Sequence, residues 1–333
     1  MDTRPFRAVS LVEVTLGKFL PFADKKRFTR DLILTLVLLA IASGLYFQRN
    51  QFSTLNSRKP GMSQAAAAKN DSPHEIDLTF TRRSPLSGRS DLAGRMRLDD
   101  DSSGPDYDLS KCSFKAYVPQ ADPKEPYGIL VYLGYKDSVS VPQAWEPTLD
   151  QNHLIFITPV CHSGKNFAPS VPAWQMLGLA FDAVENLRQR YTINPRRIYL
   201  MAWQDGMQQL FASADIFTGY IIIYDGVYFR PLVLPSGNGY YPAGFEPPYR
   251  AMFRTAQQRP IVLIGDSFTD PENAACLVCR SLRADGFSHL QTQVLSLSED
   301  LHYPNFKVDW FKKETLPFLE GVAATTQQMP KDP

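Results

Sequence analysis

From Tyr107 onward, short apolar runs alternate with segments whose apolar positions recur at helical spacing. Strands are expected over residues 113–118, 128–133, 154–159, 197–202, 220–224, 261–265 and 292–297. The middle runs are rich in Ile, Val and Leu and scarcely alternate, as strands buried on both faces do. Between the third and fourth runs, Leu177, Phe181, Val184 and Leu187 share one helical face, while Glu185, Arg188 and Arg190 point elsewhere. A second helix follows Pro271, which suits a first helical turn, and ends near Gly286; a third covers about 308–319. This order predicts an α/β fold with a mostly parallel central sheet and helices on both faces.

One stretch interrupts that rhythm. Residues 226–254 are dense in Pro, Gly and Tyr, with Gly237-Asn238-Gly239-Tyr240-Tyr241 at their centre. A long loop inside a compact domain is either a lid or binding loop, or a structural excursion over the sheet edge, and both readings stand.

Upstream the texture differs. Residues 32–47 form sixteen positions without a charge. With Gln48, and with Arg30 and Arg49 reaching toward the interface, 32–48 is long enough to approach a membrane span. It reads as an uncleaved signal-anchor. Alternatively it is a signal peptide cleaved after Ala42, at Ala40-Ile41-Ala42. A buried soluble helix fits less well, because no face of the run is polar. Residues 49–106, with four consecutive alanines and Asp99-Asp100-Asp101, read as a disordered linker holding at most a short helix around 86–98. The acid run lacks EF-hand spacing and reads as a solvated loop. The domain itself is expected over 107–321, with 322–333 as a flexible tail.

Charge sharpens this division. The 333-residue chain carries 35 Lys+Arg against 34 Asp+Glu, a net charge of +1. Nothing in that balance invites nucleic acid as a partner. Residues 1–31, however, hold seven basic and four acidic side chains, so the remainder nets −2. The bias places the basic leader in the cytoplasm and the globular domain on the far side of a membrane, or secreted or periplasmic if the signal is cleaved.

The chemistry concentrates at one strand-to-helix junction. The run 197–202 leads straight into Trp203-Gln204-Asp205-Gly206-Met207. Ala202 and Gly206 are small at the two positions where a nucleophile elbow, G-x-S-x-G, requires small residues. The central residue is Gln204. Further segments carry a family likeness: Phe114-Lys115-Ala116-Tyr117-Val118-Pro119, the helix from Asp182-Ala183-Val184 to Tyr191-Thr192-Ile193-Asn194-Pro195-Arg196-Arg197, and Asp215-Ile216-Phe217-Thr218-Gly219. In order and spacing the chain resembles exported α/β-hydrolase-fold esterases of the polyhydroxybutyrate-depolymerase and feruloyl-esterase type, over about two thirds of its length.

The resemblance implies a site. Gln204 takes the nucleophile's place, Asp270 (with Asp266 second) the acid's, and His302 in Asp300-Leu301-His302-Tyr303-Pro304 the base's. It implies oxyanion donors at the N–H of Asp205 and near Gly134-Tyr135, with Trp203 and His162 lining a pocket. A glutamine amide is not a usable nucleophile, and losing the serine of such a triad costs about a million-fold in kcat. A pocket that binds a small molecule, polymer or protein without catalysis is therefore expected. The alternative is an ester hydrolase using water activated by His302, or an unusual nucleophile. Centring the elbow on Asp205 would put Trp203 and Met207 where small residues belong. No cofactor or metal is implied. Cys276 and Cys279 form C-x-x-C inside a helix without a second pair, and with Cys112 and Cys161 read as buried small residues or one disulfide. His74, His153 and His289 read as surface or satisfied core residues.

Overall fold

Strand-forming residues dominate the centre of the fold, and their burial follows from where they stand. The computed structural model describes residues 75–80, 82–98, 106–119, 125–134, 141, 143–160, 171–203, 205–223, 226–265, 268–294 and 310–326. The chain divides into two units, Met1–Lys69 and Asn70–Pro333, and the first lies outside the described residues. In chain order the second contains β1 (Glu75–Thr79), α1 (Arg89–Met96), β2 (Ser113–Tyr117), β3 (Tyr127–Leu133), α2 (Glu146–Gln151) and β4 (Leu154–Val160). There follow α3 (Ala173–Arg190), β5 (Ile193–Trp203), α4 (Gly206–Ser213), β6 (Gly219–Ile223), β7 (Leu232–Val233), β8 (Tyr240–Tyr241) and α5 (Arg250–Gln257). The chain continues with β9 (Ile261–Gly265), α6 (Ala274–Ala284), β10 (Leu290–Val294) and a π-helical turn (Phe311–Thr315) that runs into α7 (Leu316–Thr326).

Eight strands form one sheet in the order β1-β2-β4-β3-β5-β6-β9-β10. β2 pairs antiparallel with both neighbours, and the pairs from β4 to β10 are all parallel. Side chains alternate between faces with period two. Ile129, Val131, Leu200, Ala202, Ile222 and Leu263 point to one face, where residues of α1, α3, α4 and α6 cover them. Leu130, Tyr132, Tyr199, Met201, Ile221 and Ile264 point to the other, under Trp145, Leu149, Phe311 and Leu319. The Trp145 and Phe311 rings stack there at 4.2 Å. The expected α/β architecture, with helices on both faces of a mostly parallel sheet, is thus observed. β6 and β9 are buried at every position.

Several boundaries move. The linker expected over 49–106 ends earlier, because β1 and α1 belong to the fold. β1 pairs along its length with β2. α1 realises the short helix expected near 86–98, burying Leu92, Ala93 and Met96. The hydrophobicity of these two elements is low, and polar contacts to distant residues hold them in place. Arg95 forms two bonds to the Asp215 carboxylate, at 2.8 and 2.9 Å. Asn186 Nδ2 donates to the Arg82 carbonyl at 2.6 Å. Pro271 does not open a helical turn: α6 begins at Ala274, with the Asn273 side chain accepting the Ala275 N–H as N-cap. β10 lies two to three residues before its expected place. α7 runs to Thr326, past the expected start of the tail.

The Pro/Gly/Tyr-rich stretch is ordered rather than continuous loop. It holds the β7–β8 pair and the start of α5. Phe229, Phe245 and Phe253 gather around Phe211 of α4, at ring separations of 5.6, 6.1 and 5.7 Å.

Candidate functional site

Ligands of parallel α/β sheets sit beyond the carboxyl ends of the strands. The junction singled out in the sequence lies at that end of β5, a central strand. In register, Leu133 pairs with Ala202 and Trp203 with Ile223. Gly134, the residue after β3, therefore stands level with Trp203, one strand spacing of about 4.8 Å away. Gly134 thus lies at the carboxyl end of β3, and Trp203 and Asp205 at the end of the neighbouring β5. Gln204 between the last two lies outside the described residues, as do Tyr135, His162, Asp266 and His302.

The turn is tight for a reason visible in its neighbours. A Cβ on Gly206 would meet Ile222 Cγ2 at 2.9 Å and the Ala202 Cβ at 3.4 Å. Larger residues at 202 or 206 would push α4 off the sheet. The two small positions read from the sequence are thus required by packing between β5, β6 and α4. Met207 is fully buried and Trp203 is half-buried, packing against the core on the Trp145 face. Neither is a small residue at a tight position, as an elbow centred on Asp205 would require.

Asp205 bears the strain of the turn. Its φ of 39° and ψ of 3° are left-handed, a region that disfavours most non-glycine residues but tolerates Asp. Its carbonyl accepts the first helical bond, from Gln209 N–H at 3.0 Å. Its carboxyl, however, caps no N–H of α4. Solvent reaches the side chain, yet the surrounding protein removes enough water to push its pKa above the usual carboxylate range. A helix N-terminus favours an anion, so desolvation outweighs that attraction here.

Asp270 sits five residues beyond β9, two strands from β5. Its exposed carboxylate accepts the Glu272 N–H at 2.9 Å, in the turn that leads to the Asn273 cap. Gly134 accommodates the Tyr132 ring, whose Cε1 lies 2.6 Å from where a Cβ would stand.

One buried carboxylate was not singled out in the sequence. Asp182 in α3 has no exposed surface and accepts the Ser84 N–H at 2.6 Å, the Ser87 hydroxyl at 2.5 Å and the Tyr107 hydroxyl. Burial raises its pKa despite these donors, and the Tyr107 hydroxyl is raised too, by burial and then by the adjacent carboxylate. The available signal was that Asp182 is the sole charged residue between Lys165 and Glu185. Every oxygen faces a structural donor, so the group anchors residues 84–107 rather than serving a ligand.

Cys112, Cys276 and Cys279 are free thiols, the last two buried in α6; Cys161 lies outside the described residues. His153 Nδ1 faces Glu125 at 2.9 Å. Among the described residues no cluster of His, Cys, Asp or Glu is suited to hold a metal ion, and no helix is long and apolar enough to cross a membrane. The segment 32–48 lies outside those residues.

No family model matches the chain, and no curated protein matches its sequence. Among solved structures it is similar to a ferulic acid esterase at 10% identity and TM-score 0.47, covering 75% of this chain and 98% of that one. It is similar to the hyperthermophilic esterase of Pyrobaculum calidifontis at 12% identity and TM-score 0.43, covering 75% and 84%. A thermostable esterase matches at 16% identity and TM-score 0.42, covering 63% of this chain and 58% of the esterase's length. The solved structures it resembles are esterases and related hydrolases.

Proposed function

We propose that this chain is an esterase-like α/β-hydrolase-fold protein that keeps the elbow and its surrounding pocket but binds its ligand without acyl transfer. The observation that carries the reading is the junction itself. Ala202 and Gly206 close β5 against α4 and β6, and the residue midway between them in the sequence is Gln204. A hydroxyl there, deprotonated by His302 with Asp270 behind it, would be the nucleophile of a serine-type triad. The amide of Gln204 has no such anion to offer, but it both donates and accepts hydrogen bonds. Asp205, uncapped and desolvated at the same turn, supplies a second polar group beside it.

The reading extends to place. The apolar run 32–48 with its basic leader anchors the protein in a membrane, or is removed after Ala42, and the domain works outside the cytoplasm. An epitope tag at residue 333 read by protease accessibility tests this; cleavage without opening the cytoplasmic membrane is expected, and protection that is lost only when that membrane is permeabilised would contradict it.

The functional test is p-nitrophenyl ester turnover by the full-length protein. Wild type should remain at the uncatalysed rate, whereas Gln204→Ser should acquire turnover that His302→Ala then removes. Turnover by wild type that His302→Ala abolishes would favour the second reading, hydrolysis through activated water. Silence in both wild type and Gln204→Ser would discard the triad mapping.

A further inference from the structure

The eight-stranded sheet ends in two strands that meet the surface differently. β1 and β10 are its outermost members, and among the described residues neither has a second neighbour in the sheet. β1 carries Glu75 and an exposed Asp77. Charge on an edge strand guards it against pairing with another chain. β10 reads Leu290-Gln291-Thr292-Gln293-Val294, with neither a charge nor a proline. Its last residue, Val294, is 54% exposed.

The ladder to β9 fixes which groups β10 offers. The Ile261 N–H donates to the His289 carbonyl at 2.9 Å, and Ile261 stands opposite Leu290. A strand in a parallel ladder turns the N–H and C=O of alternate residues toward that neighbour. His289, Gln291 and Gln293 therefore face β9, and the N–H and C=O of Leu290, Thr292 and Val294 face outward. Side chains alternate across the sheet as well. Leu290, Thr292 and Val294 share the face on which Leu290 packs against the core under α6, and Gln291 and Gln293 lie on the other.

We propose that β10 pairs antiparallel with β10 of a second copy of this chain, across a two-fold axis at Thr292. In that register every outward residue meets an outward residue: Thr292 meets its own counterpart, and Leu290 meets Val294. Antiparallel strands exchange two hydrogen bonds at each such pair. The side chains match too, with Leu290 on Val294, Thr292 on Thr292 and Gln291 on Gln293. A two-fold contact demands this self-complementarity. The same operation on β1, about Asp77, sets two carboxylates directly opposite each other, which destabilises a pair. That contrast selects β10 as the edge and a second copy as its partner. Charge near the seam belongs to α6, which exposes Arg280 and Arg283 and so adds like charge on both sides of the axis. With a seam of only five residues, this sets a weak dimer, with a dissociation constant of about 1–10 μM. The seam stands on the sheet edge alone, so the ester assay can fail without touching it.

Sedimentation of the full-length protein in detergent, from about 0.1 to 100 μM, tests the pairing across that range. Wild type should pass from the mass of one chain to that of two. Thr292→Pro removes an outward N–H and no bond to β9, and Val294→Lys sets a charge against Leu290. Each should weaken the dimer at least about tenfold while melting stays as in wild type. Thr292→Cys places two thiols at a pair about 5.5 Å apart between Cα atoms, within disulfide reach. Oxidation should therefore trap a dimer of Thr292→Cys and none of Asp77→Cys. A wild type that stays a single chain throughout, a dimer equally tight in wild type, Thr292→Pro and Val294→Lys, or cross-linking through Asp77→Cys and not Thr292→Cys would each overturn the assignment.

Discussion

Two aspartates, Asp182 and Asp205, share a physical feature and part in everything else. Burial raises the pKa of both. Around Asp182 the fold has collected three hydrogen-bond donors, and Arg83 lies over the Tyr107 ring at 4.2 Å. Around Asp205 it has collected none among the described residues, and it holds the backbone in a left-handed conformation as well. The first arrangement stabilises the structure. The second costs stability, and groups kept at such cost concentrate where a protein meets its ligand.

Substitution should separate the two sites sharply. Asp182→Ala strands the Ser84 N–H and the Ser87 and Tyr107 hydroxyls in the interior, and should cost about 3–5 kcal/mol, read as a large fall in melting temperature. An unchanged melt would refute the anchoring role. At the elbow, Gly206→Ala drives a methyl into Ile222, and overpacking of this kind should cost about 1–3 kcal/mol in chemical denaturation. Arg95→Ala removes the two bonds to Asp215 that fix α1, and being partly exposed should cost only about 1 kcal/mol. Loss of protection in α1 by hydrogen exchange, without loss in the central strands, would locate the effect.

Asp205 should behave in the opposite sense. Asp205→Gly relieves the left-handed strain and should stabilise the fold by about 0.5–1 kcal/mol. Asp205→Asn isolates the charge. Below the unfolded carboxyl value of 3.8 the acid is protonated in both states, and the variant gains nothing. As pH rises from there through the raised folded value, the unfolded state releases its proton first and wild type loses stability relative to the variant. A gap between variant and wild type that widens on acidification would contradict this sign.

The same contrast explains what was legible in the sequence. The strands at the centre show as runs of Ile, Val and Leu because both faces are covered. The elbow shows as two small residues around Gln204 because packing there tolerates nothing larger. β1 did not show, and α1 showed only as a short helix within an expected linker rather than as part of the domain. Their hold on the domain runs through contacts such as Ser84 to Asp182 and Arg95 to Asp215, across 98 and 120 residues, which leave no local periodicity. The left-handed turn at Asp205 was hidden for another reason: Asp tolerates that conformation without advertising it, as a glycine would. A convergence of Gln204, Asp270 and His302 is proposed from the family likeness alone, and Gln204 and His302 lie outside the described residues.

That convergence is the centre of the account, and covalent trapping measures it most directly. A fluorophosphonate probe reacts with a serine only when a base and an oxyanion site are aligned on it. Intact-mass analysis after exposure should show no adduct on the wild-type chain and one adduct on Gln204→Ser, mapped by peptide sequencing to position 204 and lost on adding His302→Ala. An adduct on wild type, or a Gln204→Ser chain that stays unmodified while folding normally, would contradict it.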